Sequence, residues 1–174
     1  TYFRNNILHA FVLPSLIAAL VEHNGRINKT DLLNVIRTLY PFLKAELFLK
    51  WNDSEINAQV TEYIDALAQA NLIFVDDEDF IFSPAPNSED HNQLAVLAAP
   101  VRQSLERYYM TLALITQRGS GNISIRQVEE LSHLVGQRLS VLYEFNSPEF
   151  FDKALFQSFM KVLTEQGYIK TNED

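Results

Sequence analysis

The sequence contains no cysteine in 174 residues. That excludes a disulfide framework, a thiolate zinc site and a cysteine nucleophile, and it fits a reducing compartment. Glycine (5) and proline (6) are scarce beside 47% hydrophobic residues, which excludes collagen, low complexity and disorder. Positive charge is in short supply too. Fourteen Lys and Arg face twenty-two Asp and Glu, for a formal net charge of −8, and no basic run occurs. Nucleic-acid binding leans on Lys and Arg neutralising phosphates, so the balance argues against such a partner. No signal- or transit-peptide pattern is visible. A chain that opens on Thr1 rather than Met reads as a piece of a longer protein.

Charge is also missing locally. Residues 5–21 are 17 positions without Asp, Glu, Lys or Arg. A membrane-spanning helix needs about 20 apolar residues, and this run carries His9, Pro14 and Ser15. It therefore reads as a buried or interfacial helix, with a kink or break near Leu13 ahead of Pro14.

What is present is helical periodicity with short punctuation. One helix is predicted over about 5–22, stopped by His23-Asn24-Gly25. A second runs over 29–50, with Leu32, Val35, Ile36, Leu39, Leu43 and Leu47 at helical spacing and Pro41 interrupting. Asn52-Asp53-Ser54 starts a third, which runs to about Ala70. Segments 72–75 and 80–82 flank the acidic Asp76-Asp77-Glu78-Asp79 and read as a β-hairpin. The polar stretch 83–93 reads as a linker. A long helix follows over 94–117, broken by Gly119-Ser120-Gly121. Ser124 and Gln127 have capping-box spacing for the next helix, to about Glu144. Ser147-Pro148-Glu149 opens the last one, which ends at Gly167 as a left-handed cap. Tyr168-Ile169-Lys170 reads as a final strand.

The two halves match at an offset of 96 residues. Leu32 falls on Val128, Leu39 on Val135, Val60 on Phe156, Ile64 on Met160 and Leu67 on Leu163. Asn28 with Asp31 falls on Ser124 with Gln127, and Asn71 falls on Gly167, so starts and stops coincide as well. The expectation is a tandem duplication. The fold class is mainly α with short β-hairpin and strand pieces, built as two winged-helix-like units. The first unit is 1–82, opening with an apolar junction helix over 1–22. The linker is 83–93 and the second unit is 94–174. Winged helices that bind DNA use their third helix. Here that helix carries Glu55, Glu62 and Asp65 without Lys or Arg in the first unit. In the second, Lys153 and Lys161 face Glu149, Asp152 and Glu165. No nucleic-acid partner is expected.

A search for catalytic chemistry finds nothing. An acyl-transfer His-x4-Asp pair is absent: the fifth residues after His9, His23, His91 and His133 are Pro14, Asn28, Val96 and Arg138. No Gly-x-Ser-x-Gly elbow, Gly-rich phosphate loop or His-Glu-x-x-His occurs. The acidic run lacks the glycine and distal Glu of an EF-hand and reads as a hairpin turn. His133 reads as a packing or surface residue and Trp51 as a packing anchor. The sequons at Asn28, Asn52 and Asn122 stand where helices begin, so capping accounts for them. No catalytic residue, metal or cofactor is expected in this chain.

Three strings carry a resemblance. The first is Tyr2-Phe3-Arg4-Asn5-Asn6-Ile7-Leu8-His9, continuing through residues 13–18. The second is Leu39-Tyr40-Pro41-Phe42-Leu43-Lys44-Ala45-Glu46-Leu47-Phe48-Leu49-Lys50-Trp51. The third is residues 135–143 followed by Asn146-Ser147-Pro148-Glu149-Phe150-Phe151 through Phe156. In this order, over nearly the whole chain, the sequence resembles the C-terminal region of the bacterial membrane-bound glycerol-3-phosphate 1-O-acyltransferases. The resemblance implies a parent enzyme that moves a fatty acyl group from acyl carrier protein or acyl-coenzyme A to the sn-1 hydroxyl of glycerol 3-phosphate, giving lysophosphatidate. It implies a peripheral location on the cytoplasmic side of the bacterial inner membrane. The family's His-x4-Asp and phosphate-binding motifs belong to a preceding domain and match no position here, so this chain alone is expected to be inactive. The expected role is structural support, docking or membrane association. The implied partners are the chain's own upstream acyltransferase domain, the membrane surface through the parent, and a homo-oligomer. Tyr2, Arg4, Asn5, Asn6, Lys44 and Glu46 are the expected junction residues. The alternative is a free-standing or regulatory protein-interaction module without enzyme activity.

Overall fold

The computed structural model describes residues 2–47, 49, 51–119, 123–143 and 152–170, with the side chains of 2–10, 53 and 137–143 left aside. In chain order the elements are α1 (Tyr2–Asn24), β1 (Arg26–Asn28), α2 (Lys29–Leu47), α3 (Asp53–Gln69), β2 (Phe74–Val75), β3 (Phe80–Phe82), α4 (Glu89–Arg118), α5 (Ile125–Tyr143) and α6 (Lys153–Glu165). The chain is mainly helical with one small antiparallel sheet. It divides into two compact units, Thr1–Arg102 and Gln103–Asp174.

The first unit is built on α1, which packs against α2 and α3. Leu13, Leu16, Ile17 and Val21 of α1 are fully buried, as are Leu32, Ile36 and Leu43 of α2 and Val60 of α3. Each such side chain contributes about 1.5–3 kcal/mol of burial. The described part of the first helix, from Phe11 on, is therefore largely taken up by its own unit. Positions 12–18 and 21 are interior, and Phe11 stays half exposed.

Helix α1 runs through Pro14 without interruption, so of the kink or break expected near Leu13 the break does not occur. A proline inside a helix costs about 3 kcal/mol. Burial of Leu13, Leu16 and Ile17 on either side of Pro14 outweighs that loss. Pro41 is likewise carried inside α2 and Pro100 inside α4.

The sheet has the order β1-β3-β2, antiparallel throughout, with Ile27 opposite Ile81 and Val75 opposite Ile81 on the other side. The hairpin expected from the sequence forms. Its acidic turn is explained by Asp76, whose Oδ1 accepts the N–H of Glu78 at 3.0 Å and of Phe80 at 2.8 Å. Asp79 takes a positive φ of 61°, a conformation that aspartate tolerates through its short polar side chain. Arg26 lies over the Phe80 ring at 3.7 Å, which holds β1 to the hairpin by cation–π attraction.

Helix ends follow their local chemistry. Glu55 reaches back to accept the Asn52 N–H at 3.0 Å at the start of α3. Ser124 and Gln127 close a capping box, with Ser124 N–H donating to Gln127 Oε1 at 2.9 Å and Gln127 N–H to Ser124 Oγ at 3.2 Å. The polar stretch 83–93 is irregular only over 83–88, and α4 opens at Glu89. The boundary between the units falls within α4 rather than at that stretch, because Leu94, Ala98 and Val101 are interior to the first unit. Arg102 pairs with Glu22 there at 2.7 Å.

In the second unit α5 packs on α6, and Tyr108 of α4 stacks on Phe159 of α6 with ring centroids 4.5 Å apart. The Ser147-Pro148-Glu149 start lies outside the described residues. The helix is described from Lys153, capped by Asp152, whose Oδ1 accepts the Ala154 N–H at 2.7 Å. The final strand expected at 168–170 does not form. Tyr168 and Ile169 both donate their N–H groups to the Leu163 carbonyl, at 2.9 and 3.3 Å, so the segment is the wrapped-up end of α6. Among the described residues the second unit has no strand, so the winged-helix-like pattern expected twice lacks its strand there.

Leu16→Ala is expected to lower unfolding stability by about 2–5 kcal/mol, because Leu16 has no exposed surface in the helix that α2 and α3 cover. Urea titration followed by circular dichroism measures it, and a loss below about 1 kcal/mol would contradict this assignment of the core.

Candidate functional site

The six expected junction residues divide into two groups. Tyr2, Arg4, Asn5 and Asn6 lie on the first turns of α1, and their side chains lie outside the described residues. Lys44 and Glu46 are half-buried near the end of α2. They stand two positions apart on one helix, so they project to different sides. The Lys44 ammonium lies 5.9 Å from the Tyr40 ring, and the Tyr40 hydroxyl donates to the Trp51 carbonyl at 3.0 Å. Trp51 is thereby an anchor for the connection after α2.

The acidic turn is held by the Asp76 hydrogen bonds, and among the described residues no group of three or more His, Asp or Glu could hold a metal ion. His91 Nδ1 lies 3.3 Å from Ser83 Oγ, which joins the start of α4 to the chain before it. Among the described residues no helix is long and apolar enough to cross a membrane.

Among the described residues a concave site lies within the second unit. It is a crevice of about 270 Å³ between α4, α5 and the start of α6. Helix α4 contributes Arg107, Met110 and Thr111, and α5 contributes Glu129, Glu130, Ser132 and His133. The start of α6 contributes Asp152, Lys153 and Phe156. Spacing of three and four residues puts Arg107, Met110 and Thr111 on one helix face, as it does Glu129, Ser132 and His133.

The inner part of the crevice is polar in an unusual way for an interior. Arg107 is only 5% exposed, and its Nη2 donates to Ser104 Oγ at 3.3 Å. Thr111 is fully buried and returns its hydroxyl proton to the Arg107 carbonyl at 2.9 Å. Ser132 is 6% exposed, and its Oγ is buried without a hydrogen-bond partner. At the rim the Lys153 ammonium pairs with Glu129 at 2.5 Å.

Ser132 and His133 are neighbours in sequence on a helix, so their side chains diverge by about 100° and the imidazole is not placed as a base for that hydroxyl. The crevice escaped the reading of the sequence because its walls come from three separated segments. One signal was available. At the offset of 96 residues the interior Ile36 and Ile56 of the first unit fall on Ser132 and Asp152, polar residues in apolar register.

Comparison with known proteins bears on the whole chain. The family model described as glycerol-3-phosphate acyltransferase C-terminal region matches residues 1–172. The chain is 40% identical over 173 residues to a glycerol-3-phosphate acyltransferase of Pseudomonas aeruginosa, covering 99% of this chain and 21% of that protein. Enzymes of the same name from Pseudomonas fluorescens and Ectopseudomonas mendocina are each 38% identical over the same span, again 21% of their length. The chain thus spans about a fifth of the relatives that it matches. No solved structure matches it.

Asp76→Ala is expected to cost about 1–3 kcal/mol, since it removes the acceptor of two backbone N–H groups, whereas Asp77→Ala should stay within about 0.5 kcal/mol. Thermal unfolding of the two variants measures the contrast. Equal effects would contradict the role given to Asp76.

Proposed function

The chain belongs to the glycerol-3-phosphate acyltransferase C-terminal region family, and from that premise we propose that it is a non-catalytic module supporting an acyltransferase domain carried elsewhere in the same protein. The observation that carries the reading is the mismatch of coverage. The match runs over nearly all of this chain yet over only 21% of each relative, and the sequence carries no His-x4-Asp pair.

The parent reaction on this reading is transfer of a fatty acyl group from acyl-coenzyme A or acyl carrier protein to the sn-1 hydroxyl of glycerol 3-phosphate, giving lysophosphatidate. The machinery for it lies outside this chain. What this chain supplies is a folded mass with its own core and a surface for the catalytic domain. The interior of α1 is occupied by its own unit, so docking falls to its first turns, where Tyr2, Arg4, Asn5 and Asn6 stand, and to the half-exposed Phe11 beyond them. Membrane association belongs to the parent as a peripheral protein on the cytoplasmic side of the inner membrane. No spanning helix among the described residues competes with that reading.

The isolated 174-residue chain is expected to transfer no acyl groups to glycerol 3-phosphate, and a parent enzyme truncated ahead of this region to lose most of its activity. Radiolabelled glycerol 3-phosphate with an acyl-thioester donor measures both. Turnover by the isolated chain would overturn the non-catalytic assignment, and undiminished turnover by the truncated parent would overturn the supporting role.

A further inference from the structure

The open edge of the small sheet carries two side chains that the first unit leaves uncovered. The order β1-β3-β2 makes β2 the outermost strand on its side. Its residues are Phe74 and Val75, 48% and 42% exposed. Successive strand residues point to opposite faces, so a large apolar side chain stands half exposed on each face. On the Phe74 face, Arg26 lies over Phe80 at 3.7 Å and over Phe82 at 5.3 Å. Phe74 stands one strand further out, opposite Phe82. On the other face Ile81 is fully buried, while its partner Val75 is not. The edge offers backbone groups as well. Asp76 N–H donates to the Phe80 carbonyl at 3.0 Å. An antiparallel ladder alternates, so the N–H and C=O of Val75 point away from β3 to the open side. Shortness, charge or proline blunts a native sheet edge. Strand β2 is short, but neither of its residues is charged or proline.

The acidic turn follows directly on this strand. The Asp76 carboxylate is engaged by the Glu78 and Phe80 N–H groups. Asp77, Glu78 and Asp79 are exposed, and among the described residues their side chains take part in no ion pair. Three carboxylates beside two apolar side chains and an open strand edge define a complement. It has extended backbone, apolar side chains and Lys or Arg.

We propose that β2 is a docking edge for an extended apolar and basic segment of the parent protein outside this chain, which adds to the sheet as a fourth strand. The proposal rests on the reading of the chain as a supporting module and names the surface that does the supporting. Area favours a tethered occupant. Phe74 and Val75 together cover roughly a few hundred Å², whereas a stable complex of separate proteins buries about 1,200–2,000 Å². A segment of the same polypeptide gains an effective concentration on the order of mM and needs no such area. The matched span is 21% of the relative, so most of such a protein lies outside it. Charge sets the other occupants aside. A second copy brings the same carboxylates and a further net charge of −8. An anionic bilayer is repelled for the same reason. In the second unit Arg126, Lys153 and Lys161 are already paired with Glu130, Glu129 and Glu165.

The test is photo-crosslinking in the full-length parent, with Phe74→p-benzoylphenylalanine as the probe, a change that keeps the half-exposed ring. Mass spectrometry of the labelled peptide identifies the occupant. The label is expected on one segment outside these 174 residues that carries Lys or Arg. Reversing the exposed turn with Asp77→Lys and Glu78→Lys should lower the yield about five-fold for each charge. Amide exchange needs no variant and keeps the test decisive if the probe does not fold. The Val75 N–H should exchange about ten-fold more slowly in the parent than in the separate chain. Three results would overturn the proposal: a label within this chain, on lipid or nowhere; a yield unmoved by the reversed charges; or equal exchange of Val75 in both proteins. The supporting role is judged by turnover of the truncated parent, so its failure and that of the docking edge are read in different assays.

Discussion

A helix with no charged side chain over seventeen residues has one stable place in water, the inside of a bundle, and the first unit is organised around that demand. Helices α2 and α3 supply the cover, each with an apolar stripe at helical spacing. The burden is large enough to carry Pro14 and Ser15 into the interior of α1. Everything else in the unit follows the same requirement. The hairpin brings Ile81 to the core, and the start of α4 adds Leu94 and Ala98. A stretch that looks like a membrane anchor when read for charge alone is, in its described part, the core of the first unit.

The second unit meets the demand less completely. Its α5 keeps Val128 in the interior but places Ser132 one turn further on, where α2 has Ile36. Its α6 has Phe156, Met160 and Leu163 inside and begins on Asp152. The stacking of Tyr108 on Phe159 ties α4 to α6, and the polar residues around Arg107 leave space beside it. Polar groups buried without partners cost stability. Each unit carries such a group, Ser15 in the first and Ser132 in the second.

Much of the fold was legible where a feature rests on local chemistry. The hairpin around Asp76, the capping box of Ser124 with Gln127, the left-handed Gly167 and the starts of α2, α3 and α5 all follow from residues within a few positions of one another. Features set by distant partners were not legible. The expected break at Pro14 failed because burial of its neighbours decides, and the expected strand at Tyr168 failed because nearby carbonyls of α6 claim its N–H groups. Family likeness points to Tyr2, Arg4, Asn5 and Asn6, whose side chains lie outside the described residues, and charge on α2 points to Lys44 and Glu46, which stand half-buried. The crevice needed three helices in place before it existed at all. The family, by contrast, was carried by long strings in a fixed order, which no amphipathic coincidence imitates.

The central claim is that this chain is a self-contained supporting module whose chemistry lies in its parent. The most direct measurement is add-back: acyl transfer to glycerol 3-phosphate by the parent truncated ahead of this region, with and without the separate 174-residue chain. The account predicts that the separate chain restores turnover while having none of its own. Failure of the chain to restore anything, although folded and in excess, would contradict it.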